Sequence, residues 1–247
     1  MLLRYSGGNR FIFIANSKSA SSSIEASKLV KYSDIRVTSA YSGKHMSLES
    51  VYQRFGFLYK EFPFETFFKF SVIRDPLDWV VSWYNFRSRP GEKKDRKYGQ
   101  KFYAGDISFE EFWQQNKDLP FLNPQSDRFF AGDDGEIGLN YLIKQSDFQK
   151  DFAEVKEILD LSFIRIPRKN RSLSRVDAAD ISDVVKQEIA EKYARDYELY
   201  GSLAAFNQAG IQAYRSAVAA KKSTPKRKRD LDEWISEINY RLRTMLQ

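Results

Sequence analysis

FSVIRDPLDWVVSWY, residues 70–84, is the stretch that decides the fold. It continues an apolar run, 67–73, that reads as a parallel strand covered on both faces. Arg74-Asp75-Pro76 follows. Proline suits the first position of a helix, where its missing N–H costs little. The rest reads as an aromatic-rich helix running to about residue 88, before Pro90. An arginine at a strand's end points its guanidinium into the crevice that a parallel sheet opens at its carboxyl edge. Ser82 lies eight residues beyond Arg74, a spacing that lets one phosphate be held from both sides. Upstream, FIFIANSKSASSSI at residues 11–24 reads as a strand (10–15), a small-residue loop (16–20) with one lysine, and a helix from about 21 to 31. Backbone N–H groups at such a helix start favour an anion, and small residues let the backbone come close to it.

The remaining elements follow the same alternation. Residues 34–38 form a short strand candidate. Residues 47–55 read as a helix with Ser47 as cap and Gly56 as stop. Residues 90–106, PGEKKDRKYGQKFYAGD, read as a loop or insertion near the site. Residues 108–116 suggest a capped helix, 139–143 a strand, 147–159 an amphipathic helix and 163–166 another strand. Helices are expected over 179–199, 203–219 and 230–246. No internal repeat is present. Strands alternating with helices imply an α/β fold with a mainly parallel central sheet, and the crossover rule places both loop segments at its carboxyl edge.

Together the two segments resemble the nucleotide-binding sequences of sulfotransferases that use 3′-phosphoadenosine 5′-phosphosulfate (PAPS). The first family loop typically reads PK-x-G-[ST]-[ST]-[ST]; here it is Ser17-Lys18-Ser19-Ala20-Ser21-Ser22-Ser23. The second is a strand, R-[DN]-P, and a serine eight residues after the arginine; here these are Arg74-Asp75-Pro76 and Ser82. The carbohydrate-type and bacterial branch is the nearest in pattern. A weaker likeness runs through Lys44-His45, Gln125 and residues 167–170, so that roughly residues 9–201 are covered. The resemblance implies a P-loop-NTPase-like sulfotransferase fold, a central mainly parallel sheet flanked by helices, with a helical C-terminal extension. It implies PAPS as donor, 3′-phosphoadenosine 5′-phosphate (PAP) as product, and no metal. Lys18 would contact the 5′-phosphosulfate and stabilise the leaving charge. Ser21, Ser22 and Ser23 would hold the 5′-phosphate. Arg74 and Ser82 would grip the 3′-phosphate, and Arg168 and Asn170 would close over the nucleotide. Two positions depart from the pattern: Ser17 stands for the proline and Ala20 for the glycine.

Each of these residues also has a plainer reading. The serine loop alone could be a polar turn capping a helix. Arg74 could form an ion pair with Asp75 or Asp78. Trp79, Trp83 and Tyr84 fit a core better than an adenine stack. His45, the sole histidine, is the candidate general base by residue type, since an unperturbed imidazole has a pKa of about 6.5; a structural role is the alternative. Glu25 and Glu49 stand in reserve. Gln125 would face the acceptor, or pack a loop.

Composition bounds the rest. The 247 residues suit one domain, 1–220, followed by a basic linker, 221–229, and a terminal helix, 230–247. There are no cysteines, so disulfides and thiolate metal sites are excluded. No apolar run reaches the roughly 18 residues of a membrane span, and MLLRYSGGNRF is too short and polar for a secretory signal. The cytoplasm of a bacterium or of a phage-infected cell is the expected setting. The net charge of +7 is concentrated in KKSTPKRKR, residues 221–229; without its six positive charges the remainder carries +1. A fold-wide nucleic-acid surface is therefore not expected. Leu231, Trp234, Ile235, Ile238 and Leu242 repeat at helical spacing, and need either the body of the protein or a second subunit to cover them. The acceptor is a hydroxyl, favoured by resemblance to be on a carbohydrate, with a lipid, a peptide tyrosine or a small metabolite as alternatives. A phosphotransferase reading lacks a GxxxxGK[ST] loop, kinase motifs and an acidic metal cluster. A non-catalytic binding member of the fold is the third reading.

Overall fold

Every residue from Phe68 to Ile73 is buried, as the apolar run requires, and this strand sits inside a five-stranded sheet. The computed structural model describes residues 1–38, 43–94, 100–131, 135–165 and 176–222, together with residue 240. In chain order the elements begin with β1 (Leu2–Arg4), β2 (Phe11–Phe13), α1 (Ser21–Glu25), β3 (Ile35–Arg36), α2 (Leu48–Arg54) and α3 (Gly56–Tyr59). There follow β4 (Phe68–Ile73), α4 (Pro76–Arg87), α5 (Pro90–Lys94), α6 (Phe109–Asn116), β5 (Tyr141–Lys144) and α7 (Phe148–Ile158). The last three are α8 (Asp183–Lys192), α9 (Ala194–Gly201) and α10 (Leu203–Lys222).

The sheet order is β3-β1-β2-β4-β5. β2, β4 and β5 are parallel neighbours, and β1 runs antiparallel to both β2 and β3. Four strands therefore point one way and β1 the other. Alternation along β2 assigns Phe11 and Phe13 to one core cluster and Ile12 to another, on opposite faces of the sheet. The two polar residues within β4 are satisfied locally. Ser71 Oγ donates to the Ile14 carbonyl at 2.8 Å, and Lys69 Nζ to the carbonyls of Phe67 and Phe64 at 3.2 and 3.4 Å. A third cluster, built on Trp79, Trp113 and Tyr193, joins α4 to α6 and α8.

Several expectations are corrected. β1 falls in the N-terminal stretch that composition treats only as a non-signal; three residues are too few for a periodicity. The helix expected to 31 ends at Glu25, because Ser27 Oγ donates to the Ile24 carbonyl at 2.6 Å and accepts from Leu29 N–H at 3.1 Å, starting a 3-10 turn. Gly56 does not stop the chain's helical course but opens α3. The segment 90–106 includes α5 and a 3-10 turn at Gln100–Phe102. The helix expected over 179–199 is two, α8 and α9, meeting at Tyr193. No strand forms at 163–165: Phe163 is exposed, and Lys156 Nζ takes the Ile164 carbonyl at 3.1 Å. Arg168, Asn170, the linker beyond Lys222 and the terminal helix, Tyr240 apart, lie outside the described residues. Among those described, no helix is long and apolar enough to cross a membrane.

α10 lies against the outer edge of β5. Asn207 Oδ1 accepts from Leu142 N–H at 2.8 Å and its Nδ2 donates to the Leu142 carbonyl at 3.1 Å. Asp151 of α7 accepts from Lys144 N–H at 2.8 Å. Asn140 Nδ2 reaches the Gly210 carbonyl at 3.1 Å, and a Cβ on Gly210 would stand 2.2 Å from the Asn140 carbonyl oxygen. That contact predicts the outcome of Gly210→Ala. Helix propensity favours alanine by about 1 kcal/mol, but displacing a backbone carbonyl in a packed interface costs about 1–3 kcal/mol or more. The variant is expected to be less stable in urea denaturation; a gain in stability would show that α10 is not seated on β5 this closely.

Candidate active site

β2 and β4 lie side by side and release the chain at the same edge of the sheet. Ile14 N–H continues their ladder onto the Phe70 carbonyl at 3.0 Å. Beyond it the loop turns sharply, with left-handed backbone at Lys18 (φ 59°) and Ala20 (φ 56°). An L-residue in that region costs roughly 1–2 kcal/mol, so the loop must be held by its surroundings. Trp79 Nε1 donates to the Ser17 carbonyl at 2.8 Å. Ser19 Oγ donates to the same carbonyl at 3.1 Å. The buried Asn16 donates through Nδ2 to the Val72 carbonyl at 3.1 Å and to Gln125 Oε1 at 2.9 Å. Ala20 thus occupies a conformation in which glycine would be free of strain. Ser21, Ser22 and Ser23 are the first residues of α1; Ser21 and Ser23 are buried and Ser22 is half-buried.

The side chain of Lys18 folds over α4, with Nζ 4.0 Å from the Phe86 ring centroid and 5.9 Å from that of Trp83. Arg87 and Arg89 bring their guanidinium carbons to 5.5 and 5.4 Å of the same Phe86 ring. Arg87 is paired with Glu92 at 2.9 Å, whereas no carboxylate among the described residues stands within ion-pair distance of Lys18 or Arg74. Burial, and then the charges of Arg89, Arg74 and Arg87, push the Lys18 ammonium down to about 7, with Glu92 acting in the opposite sense.

Arg74 is half-buried directly after β4, and its Nε is buried without a hydrogen-bond partner. Burial pushes its pKa down, while Asp78 and Asp75 pull it up from a distance. The ion-pair alternative for Arg74 is therefore not realised. The Asp75 carboxylate instead caps α4, accepting from Asp78 N–H at 3.1 Å. Ser82 is buried on α4, and 79, 82, 83 and 86 share one helical face by their spacing. Trp79 and the two rings beside Lys18 place that face against the loop.

His45 Nδ1 lies 2.6 Å from the Ala15 carbonyl, at the root of the same loop. A carbonyl only accepts, so the proton is on Nδ1 and Nε2 keeps its lone pair. Burial pushes the imidazole down to about 4; the Ala15 carbonyl opposes this, and Lys44 and Arg128 add to it. Arg128 Nη1 also donates to the His45 carbonyl. The reserve carboxylates are engaged elsewhere. Glu25 pairs with Lys44 at 2.6 Å, and Glu49 accepts from Gln53 at 2.8 Å along α2.

Gln125, expected to face an acceptor, is fully buried. Its Oε1 accepts from Arg74 N–H at 3.1 Å and its Nε2 donates to the Arg74 carbonyl at 2.8 Å. The loop-packing alternative is the one the fold uses. Asn16, Trp79, Phe86, Arg87 and Arg89 were not singled out as site residues, although the 79-82-83-86 stripe was visible as helical spacing around Ser82. A cavity of about 800 Å³ lies elsewhere, between α7 and α10, lined among others by Lys144, Asp151, Glu154 and Arg215. None of the nominated residues borders it. Its mixed charges contrast with the cation excess around Lys18, where the chemistry-bearing groups converge.

No curated protein and no solved structure matches the chain significantly. A family model does, over residues 3–202, which takes in the sheet, the Lys18 loop, His45, Arg74, Ser82 and Gln125. With that span and the two loops meeting at one sheet edge, the chain belongs to the sulfotransferase family.

Proposed function

We propose that this protein transfers a sulfuryl group from PAPS to an acceptor hydroxyl. The observation that carries this reading is the pair of cations, Lys18 and Arg74, at one sheet edge beside a strained loop, neither with a carboxylate within ion-pair distance among the described residues. Cations withdrawn even partly from water are normally paired; here an anionic ligand supplies the missing partner. Arg74, with its unpartnered Nε, suits a 3′-phosphate, because the guanidinium fork donates two parallel bonds to phosphate oxygens. Ser82 on the adjoining helical face would hold the same group, and Ser21, Ser22 and Ser23 the 5′-phosphate. PAPS, when bound, supplies a sulfuryl group already attached to a phosphate leaving group.

Lys18 would stabilise charge on the leaving oxygen, a role that acts mainly in the transition state. His45 would accept the acceptor's proton at Nε2, with Nδ1 held by Ala15. Trp79 and Asn16 keep the loop in place. The motif pattern supports the bacterial, carbohydrate-type branch and hence a sugar hydroxyl as acceptor, and the cysteine-free composition fits a cytoplasmic setting. The linker and terminal helix would stand apart from the donor site.

Donor selectivity is the direct test. PAP should bind far more tightly than 5′-AMP in calorimetric titration, and equal affinities would sink the assignment. Arg74→Ala should cost PAP about 1.5–3 kcal/mol, the range of a hydrogen bond to a charged group, and erase the selectivity.

The lowered Lys18 pKa gives a second expectation. A bound phosphate raises it, so the free protein, with Lys18 near 7, must take up a proton on binding PAP at pH 8. Phosphate monoesters are already ionised there. The contribution of Lys18 to affinity therefore falls as pH rises above about 7. Titrations in buffers of different ionisation enthalpy should show the uptake in the wild type and none in Lys18→Ala; no uptake in the wild type excludes Lys18 from the anion site.

His45→Ala should keep PAP binding and lose about 10²–10⁴-fold in turnover. Because its imidazole titrates near 4 rather than 6.5, His45 stays neutral and activity should hold between pH 7 and pH 5. A fully active variant would remove His45 as the base, whereas an acid limb centred near 6.5 in the wild type would show that burial does not depress its imidazole.

A further inference from the structure

Asp196 lies in the first turn of α9, is fully buried, and has no cation within ion-pair distance among the described residues. A carboxylate in that position is costly unless its oxygens are satisfied. Here they accept two backbone N–H groups, from Gln125 at 2.7 Å and from Ser126 at 2.9 Å. These open a 3-10 turn, Gln125–Arg128, whose preceding residue is Pro124 and which has no side-chain cap of its own. Asp196 supplies the cap from a helix some seventy residues away in sequence.

The next link is the Gln125 side chain. Its amide pairs with both the N–H and the carbonyl of Arg74, and its Oε1 also accepts from Asn16 of the Lys18 loop. This side chain therefore holds the main chain of Arg74 where the strand has ended. Turning the 125–126 peptides would withdraw the amide, leave the Arg74 N–H and carbonyl unpaired, and let the residue's backbone rotate. The guanidinium springs from that backbone with Nε already unpartnered, so little else fixes its direction.

We infer that Asp196 is a positioning residue for the donor site: through the backbone of Gln125 it sets the amide that holds Arg74, and so aims the Arg74 guanidinium at the phosphate it takes. This rests on the assignment of Arg74 to the 3′-phosphate of PAPS. It adds a residue far from the reacting atoms on which discrimination between 3′-phosphorylated and plain adenylates depends.

The experiment measures PAP and 5′-AMP affinities for wild type, Arg74→Ala, Asp196→Asn and Gln125→Met by calorimetry, with thermal unfolding alongside. Asp196→Asn keeps the shape but puts an amide N–H₂ against a backbone N–H. Gln125→Met keeps the length and removes the amide, and it carries the test if Asp196→Asn does not fold. Each is expected to lower the ratio of PAP to 5′-AMP affinity by at least about tenfold, the scale of one charge-assisted hydrogen bond, with 5′-AMP affinity unchanged. A merely structural role would lower the melting temperature and weaken both ligands together, or leave the ratio intact; either result overturns the inference. If Arg74→Ala erases the selectivity while Asp196→Asn and Gln125→Met keep it, only the positioning role falls. If wild type shows no selectivity, the donor assignment falls first and takes this inference with it.

Discussion

The parallel pairing of β2 with β4 is the contact on which the rest of this site depends. It sets Phe11 opposite Phe68 and Phe13 opposite Phe70, and so brings the two chain exits to one edge. A slip of one residue would turn Phe11 and Phe13 toward the face occupied by Ile12 and Ile14, exchanging two differently shaped cores. The ladder is also prolonged past the end of β2 by side chains. Asn16 takes the Val72 carbonyl, and Gln125 takes the Arg74 peptide. Side-chain amides thus do the work of strand backbone at the point where the backbone must leave the sheet to meet a ligand.

The same region concentrates features that work against stability. Lys18 and Ala20 adopt left-handed backbone, the half-buried Lys18 feels the charges of three arginines, and Arg74 keeps a buried unpaired nitrogen. Each would be removed by selection for stability alone, and their coincidence at a sheet's carboxyl edge is what marks function. The surroundings offset them through fixed partners. The indole of Trp79 holds Ser17, and aromatic faces lie beneath Lys18 and Arg87. The departures at Ser17 and Ala20 are accommodated in that frame. Ser17 contributes its carbonyl rather than its side chain, and Ala20 turns left-handed without a glycine.

Local chemistry was legible in the sequence; long-range satisfaction was not. Pro76 opens α4, and Ser47 and Ser108 cap α2 and α6, because these are one-turn events written in neighbouring residues. The apolar run of β4 was equally plain. β1 escaped notice because three residues carry no period, and its existence depends on β2 and β3 flanking it. Gln125 was singled out with two readings, and the sequence could not choose between them because its partners Asn16 and Arg74 lie 109 and 51 residues away. Asp196 sat within an expected helix, one acid among many, until the fold buried it. Arg168 and Asn170 rest on the resemblance alone.

The flank formed by α10 has a consequence for how this chain meets copies of itself. The outward N–H groups of Leu142 and Lys144 are already taken, by Asn207 and Asp151, and the Leu142 carbonyl is taken as well. A sheet grows by offering such groups to another strand. β5 therefore ends the sheet chemically as well as geometrically, and the opposite margin, β3, is only two residues long. Asn207 lies beyond residue 202, where the family match stops. The helix beyond the family match is thus the part that closes this edge of the sheet, occupying with side chains the backbone groups through which another strand would pair.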